Sequence, residues 1–254
     1  MKIISFNVNG LRAAYKYGFF DWLKNEKPDI VCLQEIKLQK EQLPDQLLNP
    51  LGYYTYLSAA VKKGYSGTLV YSKTKSQSVS KTLGFKKFDQ EGRILKLDFK
   101  NFTLINLYLP HGSRNKSKLP YKLECYQRLF KLLPRLKNKK IILTGDFNIA
   151  HLELDLARPK ENKNNIMFTP KEREQINQLL KLGYIDSFRL FNKKKGQYSW
   201  WPYFRNARER NLGWRLDYIF VSKKLKSQLK KAFILPQVKM SDHCPVGIEL
   251  EKLS

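Results

Sequence analysis

The chain has 254 residues, 42% hydrophobic and 13% aromatic, which suffices for a sizeable core and excludes a disordered chain. Its 48 Lys and Arg against 22 Asp and Glu give a net charge of +26, which favours a polyanionic partner, nucleic acid being the commonest. Cys32, Cys125 and Cys244 lack metal-ligand spacing, no apolar run approaches a membrane span, and the N-terminal apolar stretch is too short for a signal peptide. A cytoplasmic, nucleoid-associated protein away from membranes is therefore expected.

Apolar runs predict strands at 2–6, 29–33, 55–58, 67–71, 94–99, 102–107, 140–144, 197–200, 216–221 and 246–250. Helices are predicted at 19–26, 41–48, 120–136 and 170–180. The third carries Leu123, Tyr126, Phe130 and Leu133 at helical spacing, and the fourth opens with a capping box of Thr169 and Glu172 around Pro170. With no internal repeat and no linker, residues 1–254 read as one strand-rich α/β domain. Adjacent strands such as those at 94–107 argue against a simple parallel array.

Several strands end in polar residues: Asn7 and Asn9, Gln34 and Glu35, Tyr108 through His111, and Asp146 with Asn148; Asp242 and His243 precede the last. Each alone reads as a turn, but together they fit one site at one sheet rim. At spacing two, Asp146 and Asn148 are expected to point the same way, as are Asn7 and Asn9. Asp217 lies inside an apolar strand, where an unpartnered carboxylate costs on the order of several kcal/mol. A structural Arg or a backbone N–H could satisfy it; His243 is the favoured partner. Oxygen donors without thiolates suit a hard ion, Mg²⁺ or alternatively Mn²⁺, with Glu35 the best single ligand. Metal, base and positive charge together suggest phosphodiester hydrolysis.

Segment 196–215 holds three Trp, two Tyr, one Phe and four Arg, Arg208 among them. Arg neutralises phosphates and aromatics stack on bases or wedge into a duplex. The plainer alternative is a core strand followed by a solvated basic loop. A generally Lys-rich composition could also explain the net charge, but surface lysines that merely solvate would not be interleaved with aromatics.

Along essentially its whole length the chain resembles the exonuclease III family of abasic-site endonucleases. The motifs are Phe6-Asn7-Val8-Asn9-Gly10-Leu11-Arg12, Leu33-Gln34-Glu35-Ile36-Lys37, Gly145-Asp146-Phe147-Asn148-Ile149-Ala150-His151, Asp155-Leu156-Ala157-Arg158-Pro159-Lys160, Phe168-Thr169-Pro170-Lys171-Glu172-Arg173, Gly213-Trp214-Arg215-Leu216-Asp217-Tyr218 and Ser241-Asp242-His243-Cys244-Pro245. The resemblance implies a four-layer αββα sandwich of two mixed sheets flanked by helices. It implies a monomer that cuts double-stranded DNA 5′ to abasic or damaged sites with Mg²⁺, leaving a 3′-hydroxyl. Exonuclease, 3′-phosphodiesterase and, as in some archaeal relatives, deoxyuridine-nicking activities accompany that expectation.

By matching position, Glu35 would be the main metal ligand, with Asn7 supporting the cluster and Asp242, Asp146, Asn148 and His243 in the same set. Asp146 would activate water, Asn148 and Tyr108 would hold the phosphate, and Asp217 would orient His243. Trp200 and Trp214 would receive the flipped-out sugar, Phe204 would wedge the duplex, and Tyr65, Arg114, Asn162 and Asn165 would contact DNA. The sequence departs from the family at His111, usually Asn or Gln, and carries Asn9 where some relatives have Asp. Phosphatases of inositol lipids and sphingomyelinases share the Asp-x-Asn and Ser-Asp-His elements, but nothing in them accounts for segment 196–215.

Overall fold

The computed structural model describes residues 1–251. The first sheet contains β1 (Lys2–Asn7), β2 (Ile30–Gln34), β3 (Tyr54–Ser58) and β4 (Thr68–Ser72). The second contains β5 (Ser78–Ser80), β6 (Ile94–Asp98), β7 (Thr103–Tyr108), β8 (Ile141–Asp146), β9 (Tyr184–Asp186) and β10 (Asp217–Ser222). Strands β11 (Leu229–Ile234) and β12 (Val246–Leu250) return to the first. The orders are β11-β12-β1-β2-β4-β3 and β5-β6-β7-β8-β10-β9. Each sheet has a parallel pair among its inner strands, β1 with β2 and β7 with β8.

Seven α-helices accompany the sheets: α1 (Leu11–Lys16), α2 (Phe19–Glu26), α3 (Asp45–Leu48), α4 (Lys86–Gln90), α5 (Leu119–Leu132), α6 (Pro170–Lys181) and α7 (Ser187–Phe191). Pleat alternation sorts each strand's side chains between two cores. Ile3, Cys32, Val70, Leu97, Ile142 and Ile248 pack between the sheets. Phe6, Val31 and Leu33 face outward onto Leu11, Phe19 and Leu23 of α1 and α2. On the far side, Ile105, Leu143 and Phe220 meet Cys125, Tyr126 and Leu129 of α5 and Ile176 of α6. The four-layer αββα architecture is therefore present.

Three expectations need correction. The helix expected at 41–48 is broken, because Pro44 holds Leu43 extended and only a 3₁₀ turn precedes α3. Residues 197–200 form no strand: Trp200 makes single bridges to Trp214 and His243, and Pro202 ends the pairing. Finally, α5 stops at Leu132 and its buried stripe is Lys122, Cys125, Tyr126 and Leu129, with Leu123 and Phe130 only half-buried.

Near one rim the inter-sheet core turns polar. Gln34 donates to Ser5 Oγ at 3.0 Å and to Asn106 Oδ1 at 2.7 Å, while Asn106 donates to the Leu33 carbonyl at 3.0 Å. The donors of both amides thus find partners across the sheets, leaving Gln34 Oε1 as the one unpartnered atom of the pair, and they fix the sheets' relative register just below the strand ends.

Candidate active site

Both parallel pairs end at this rim. In the second sheet, register sets Tyr108 opposite Asp146 and Asp146 opposite Asp217. Cross-strand neighbours share a sheet face, so three ionisable side chains stand in a row. Gly145 makes the approach feasible: its φ is +135°, and a Cβ there would lie 1.8 Å from the Leu107 carbonyl oxygen. The first sheet contributes Asn7, whose amide donates to Asp146 Oδ2 at 2.9 Å and to Glu35 Oε1 at 3.1 Å. One amide thus joins carboxylates from the two sheets.

The spacing-two pairs do meet, but by turns instead of pleats. Asn148 and Asn9 have left-handed φ values of 52° and 46°. The Asn148 N–H donates to Asp146 Oδ1 at 2.8 Å, and the Asn9 N–H donates to Asn7 Oδ1 at 3.0 Å. The Asn148 side chain also donates to Asp146 Oδ2 at 3.1 Å and to the Leu109 carbonyl at 2.9 Å. Glu35 is left-handed as well, at φ 51°, a backbone strain typical of functional sites.

Asp217 takes His243 as partner, with Nδ1 2.8 Å from Oδ2. Ser199 Oγ also donates to that oxygen at 2.7 Å while accepting from the Leu216 and Asp217 N–H groups. Nε2 of His243 then lies 3.9 Å from Asp146 Oδ2. Burial opposes the charged imidazole, but the Asp217 carboxylate outweighs it and raises His243 to about 10. Asp146 goes the opposite way: burial first, then repulsion from Asp217, push it up to about 7 against the pull of His243. Burial also opposes ionisation of Glu35, yet Lys37 and the Tyr108 and Asn7 hydrogen bonds hold it below the usual carboxylate range. Tyr108 donates to Glu35 Oε1 at 2.6 Å and, through burial and then the Glu35 charge, keeps its proton far above the ordinary phenol range.

Asp242 joins from the loop before β12, accepting from Asn9 at 3.0 Å and from Trp200 Nε1 at 2.9 Å. Asn7, Glu35, Tyr108, Asp146, Asn148, Asp217, Asp242 and His243 thus form one connected cluster. Ligand atoms of Asp146, Asp217 and His243 lie within 4.8 Å of one another, and Asp217 Oδ1 is buried without a partner. Hard oxygen donors, an orphaned carboxylate oxygen and a buried Asp146 whose carboxyl is raised by burial and then by the Asp217 charge fit a divalent cation.

Beside the cluster, Trp214 meets Phe168 edge-on at 6.4 Å and packs with Leu156, Ile166 and Met167, with Trp200 half-buried against them. Asn162 caps the adjoining loop on the Ala157 carbonyl and accepts from Asn165 at 3.0 Å. Phe204 is 56% exposed, and Arg114 is exposed after β7. Tyr65 accepts from Arg93 at 2.9 Å. Arg208 does not project as a free phosphate ligand: its guanidinium donates to the carbonyls of Ser241, Pro236 and Val238 and lies 4.6 Å from the Trp201 ring.

Three supporting residues escaped the sequence reading. Lys37 pairs with Glu35 Oε2 at 3.0 Å and also donates to Asn9 Oδ1. Ser199 seats Asp217, and Arg93 stacks 4.4 Å from the Tyr108 ring. Lys37 alone carried a signal, a cation two residues from Glu35.

A sequence model of the endonuclease/exonuclease/phosphatase family matches residues 4–243. The chain is 45% identical over 251 residues to an exodeoxyribonuclease of Bacillus subtilis, covering 98% of each. It is 39% identical over 257 residues to a DNA-(apurinic or apyrimidinic site) endonuclease of Dictyostelium discoideum, covering 99% of this chain and 71% of that one. Among solved structures, a 3′ phosphatase from Neisseria bound to a product DNA hairpin superposes with a TM-score of 0.92 at 29% identity, covering 99% of this chain and all of that one.

Proposed function

As the chain belongs to the endonuclease/exonuclease/phosphatase family, we propose that it is a DNA repair nuclease that hydrolyses the phosphodiester 5′ to an abasic site and leaves a 3′-hydroxyl. The observation that carries this reading is the row Tyr108–Asp146–Asp217 with His243, closed across the sheets by Asn7 and bordered by an aromatic pocket. The substrate is duplex DNA, met by a monomer, with +26 of charge to draw it in.

Glu35 would be the main holder of Mg²⁺ in this reading, with Asp242 contributing, Asn7 supporting the carboxylates through its amide, and Asp146, Asn148 and His243 in reach. A cation held there would supply polarisation of the phosphate and would offset the negative charge of the neighbouring carboxylates. Asp146, poised near neutrality, aligns a water and takes its proton. His243, kept cationic by Asp217, stabilises charge on the phosphate oxygens instead of acting as base. Tyr108 retains its proton and serves as a fixed donor. Asn148 holds Asp146 and borders the phosphate, while Trp200 and Trp214 enclose a sugar that lacks a base. Tyr65, Arg114, Asn162, Asn165 and Phe204 border the duplex on either side.

The test is a nicking assay on matched duplexes carrying an abasic analogue, deoxyuridine or a normal base, with Mg²⁺ and with EDTA. Cleavage confined to the abasic duplex and abolished by EDTA is expected. An uncut abasic duplex in Mg²⁺ would overturn the reading.

A further inference from the structure

One buried charge belongs to neither the acid cluster nor the core. Lys122 sits on the inward stripe of α5, a position expected to be apolar, and its side chain and that of Glu172 are both 0% exposed. Its ammonium donates to Glu172 Oε1 at 2.5 Å, to the Asn148 carbonyl at 2.6 Å and to the His111 carbonyl at 3.2 Å. An ammonium has three protons, and here three acceptors from three separate segments converge on them.

Each acceptor bears on the site. The Asn148 carbonyl belongs to the left-handed residue whose N–H and amide hold Asp146. His111 opens the loop that carries Arg114. Glu172 closes the capping box of α6 through Thr169 and also accepts from the Met167 N–H at 3.0 Å. Met167 and Phe168 form the wall against which Trp214 packs. A continuous path therefore runs from Asn148 through Lys122, Glu172 and Met167 to the aromatic pocket.

Stability alone does not account for the pair. Burying two charges costs about what their attraction returns, and apolar replacement of such pairs is often neutral. What an apolar residue cannot do is hold two carbonyls of irregular loops in fixed directions. We propose that Lys122 and Glu172 are a positioning pair that sets Asn148, and with it Asp146, relative to the sugar pocket. The pair touches neither phosphate nor sugar, so its loss lowers turnover and spares affinity. This inference rests on the nuclease reading for its kinetic part only.

The test uses Lys122→Met/Glu172→Gln, which removes both charges together. The expected result is a kcat about 10- to 100-fold below the unsubstituted protein, as misplacement of a reacting group by ~1 Å would give. KM and duplex affinity should stay within about threefold and the melting temperature within about 5 °C. The side-chain amide resonance of Asn148 should shift or broaden. A kcat within about threefold of the unsubstituted protein, or an unmoved Asn148 resonance in the folded variant, overturns the inference. Should the double variant not fold, Lys122→Met alone, which leaves Glu172 the bonds it accepts from Met167 and Thr169, must still show the turnover loss and the moved resonance. The resonance is read without substrate, so an unsubstituted protein inactive on abasic DNA would sink the proposed function and leave the positioning test decisive.

Discussion

Two groups of buried carboxylates lie close together in the fold and are treated in opposite ways. Asp155 and Asp186 are clamped by guanidinium groups: Arg215 donates to both, at 2.8 Å and 2.7 Å, and Arg189 adds a bond to Asp155 at 3.0 Å. Burial opposes the Asp155 charge, but Arg215 overcomes it and draws the carboxyl down to about 2. Asp146 meets amides, one imidazole and another carboxylate, and is pushed up to about 7. Matching charge with charge makes a brace. Matching it with neutral amides leaves an acid whose carboxyl is raised well above the ordinary range and a cluster short of positive charge.

Breaking the brace should have the largest effect. Arg215→Met leaves two buried carboxylates facing one another and should cost about 3–5 kcal/mol in urea unfolding. Asp146→Asn should do the reverse: cleavage falls at least about 10²-fold in single-turnover assays, with duplex binding and unfolding midpoint held or raised. His243→Ala should match that loss of turnover. If Asp146→Asn cleaves normally, or destabilises as Arg215→Met does, the contrast between the two groups collapses.

pH should separate the groups next. The Asp155 carboxyl is depressed in the fold, so its stabilisation is full above the ordinary carboxylate range, near pH 4, and disappears as pH falls through about 2. The Asp146 carboxyl is raised, so the fold holds its proton more tightly than the unfolded chain, and stability falls as pH rises from about 4 through about 7. Cleavage should instead rise with pH as Asp146 ionises, on a limb that bound Mg²⁺ draws below the metal-free value, and fall at higher pH as His243 loses its proton. Urea midpoints and kcat/KM across pH 2–11 would show both; an Asp146→Asn variant that keeps the acid limb of the rate profile would remove Asp146 as the base.

The smallest effect belongs to the pocket. Trp214→Ala should lower the preference for abasic over intact duplex by about tenfold, the scale of one lost apolar contact, while overall duplex affinity changes little. A preference left unchanged would move sugar recognition elsewhere.

The sequence was a good guide to the site because strand ends announce themselves. Short apolar runs stopping at Asn7, Glu35, Tyr108 and Asp146 put four polar side chains of the cluster at termini, and the cost of burying Asp217 pointed to His243. Short elements were less legible: β5 and β9 span three residues each, and β11, with Lys230 and Lys231 exposed, reads as a polar loop. Aromatic content made 197–200 resemble a strand, although Trp200 is held by single bridges and by its indole bond to Asp242. Arg208 looked like a phosphate ligand for the same compositional reason, since composition does not reveal which carbonyls a guanidinium will find. Lys122 was invisible because a lysine on an amphipathic helix ordinarily faces water.

The amide of Asn7 spans the seam between the sheets: its bond to Glu35 lies within the first sheet, and its bond to Asp146 forms only when both sheets are folded and docked. Catalysis here behaves as a logical AND: neither sheet alone assembles the acid cluster, whereas the lysines scattered over both can attract DNA from the first moments of folding. The acid cluster is therefore complete only in the fully docked fold, while the charge that favours a polyanion is spread through the whole chain.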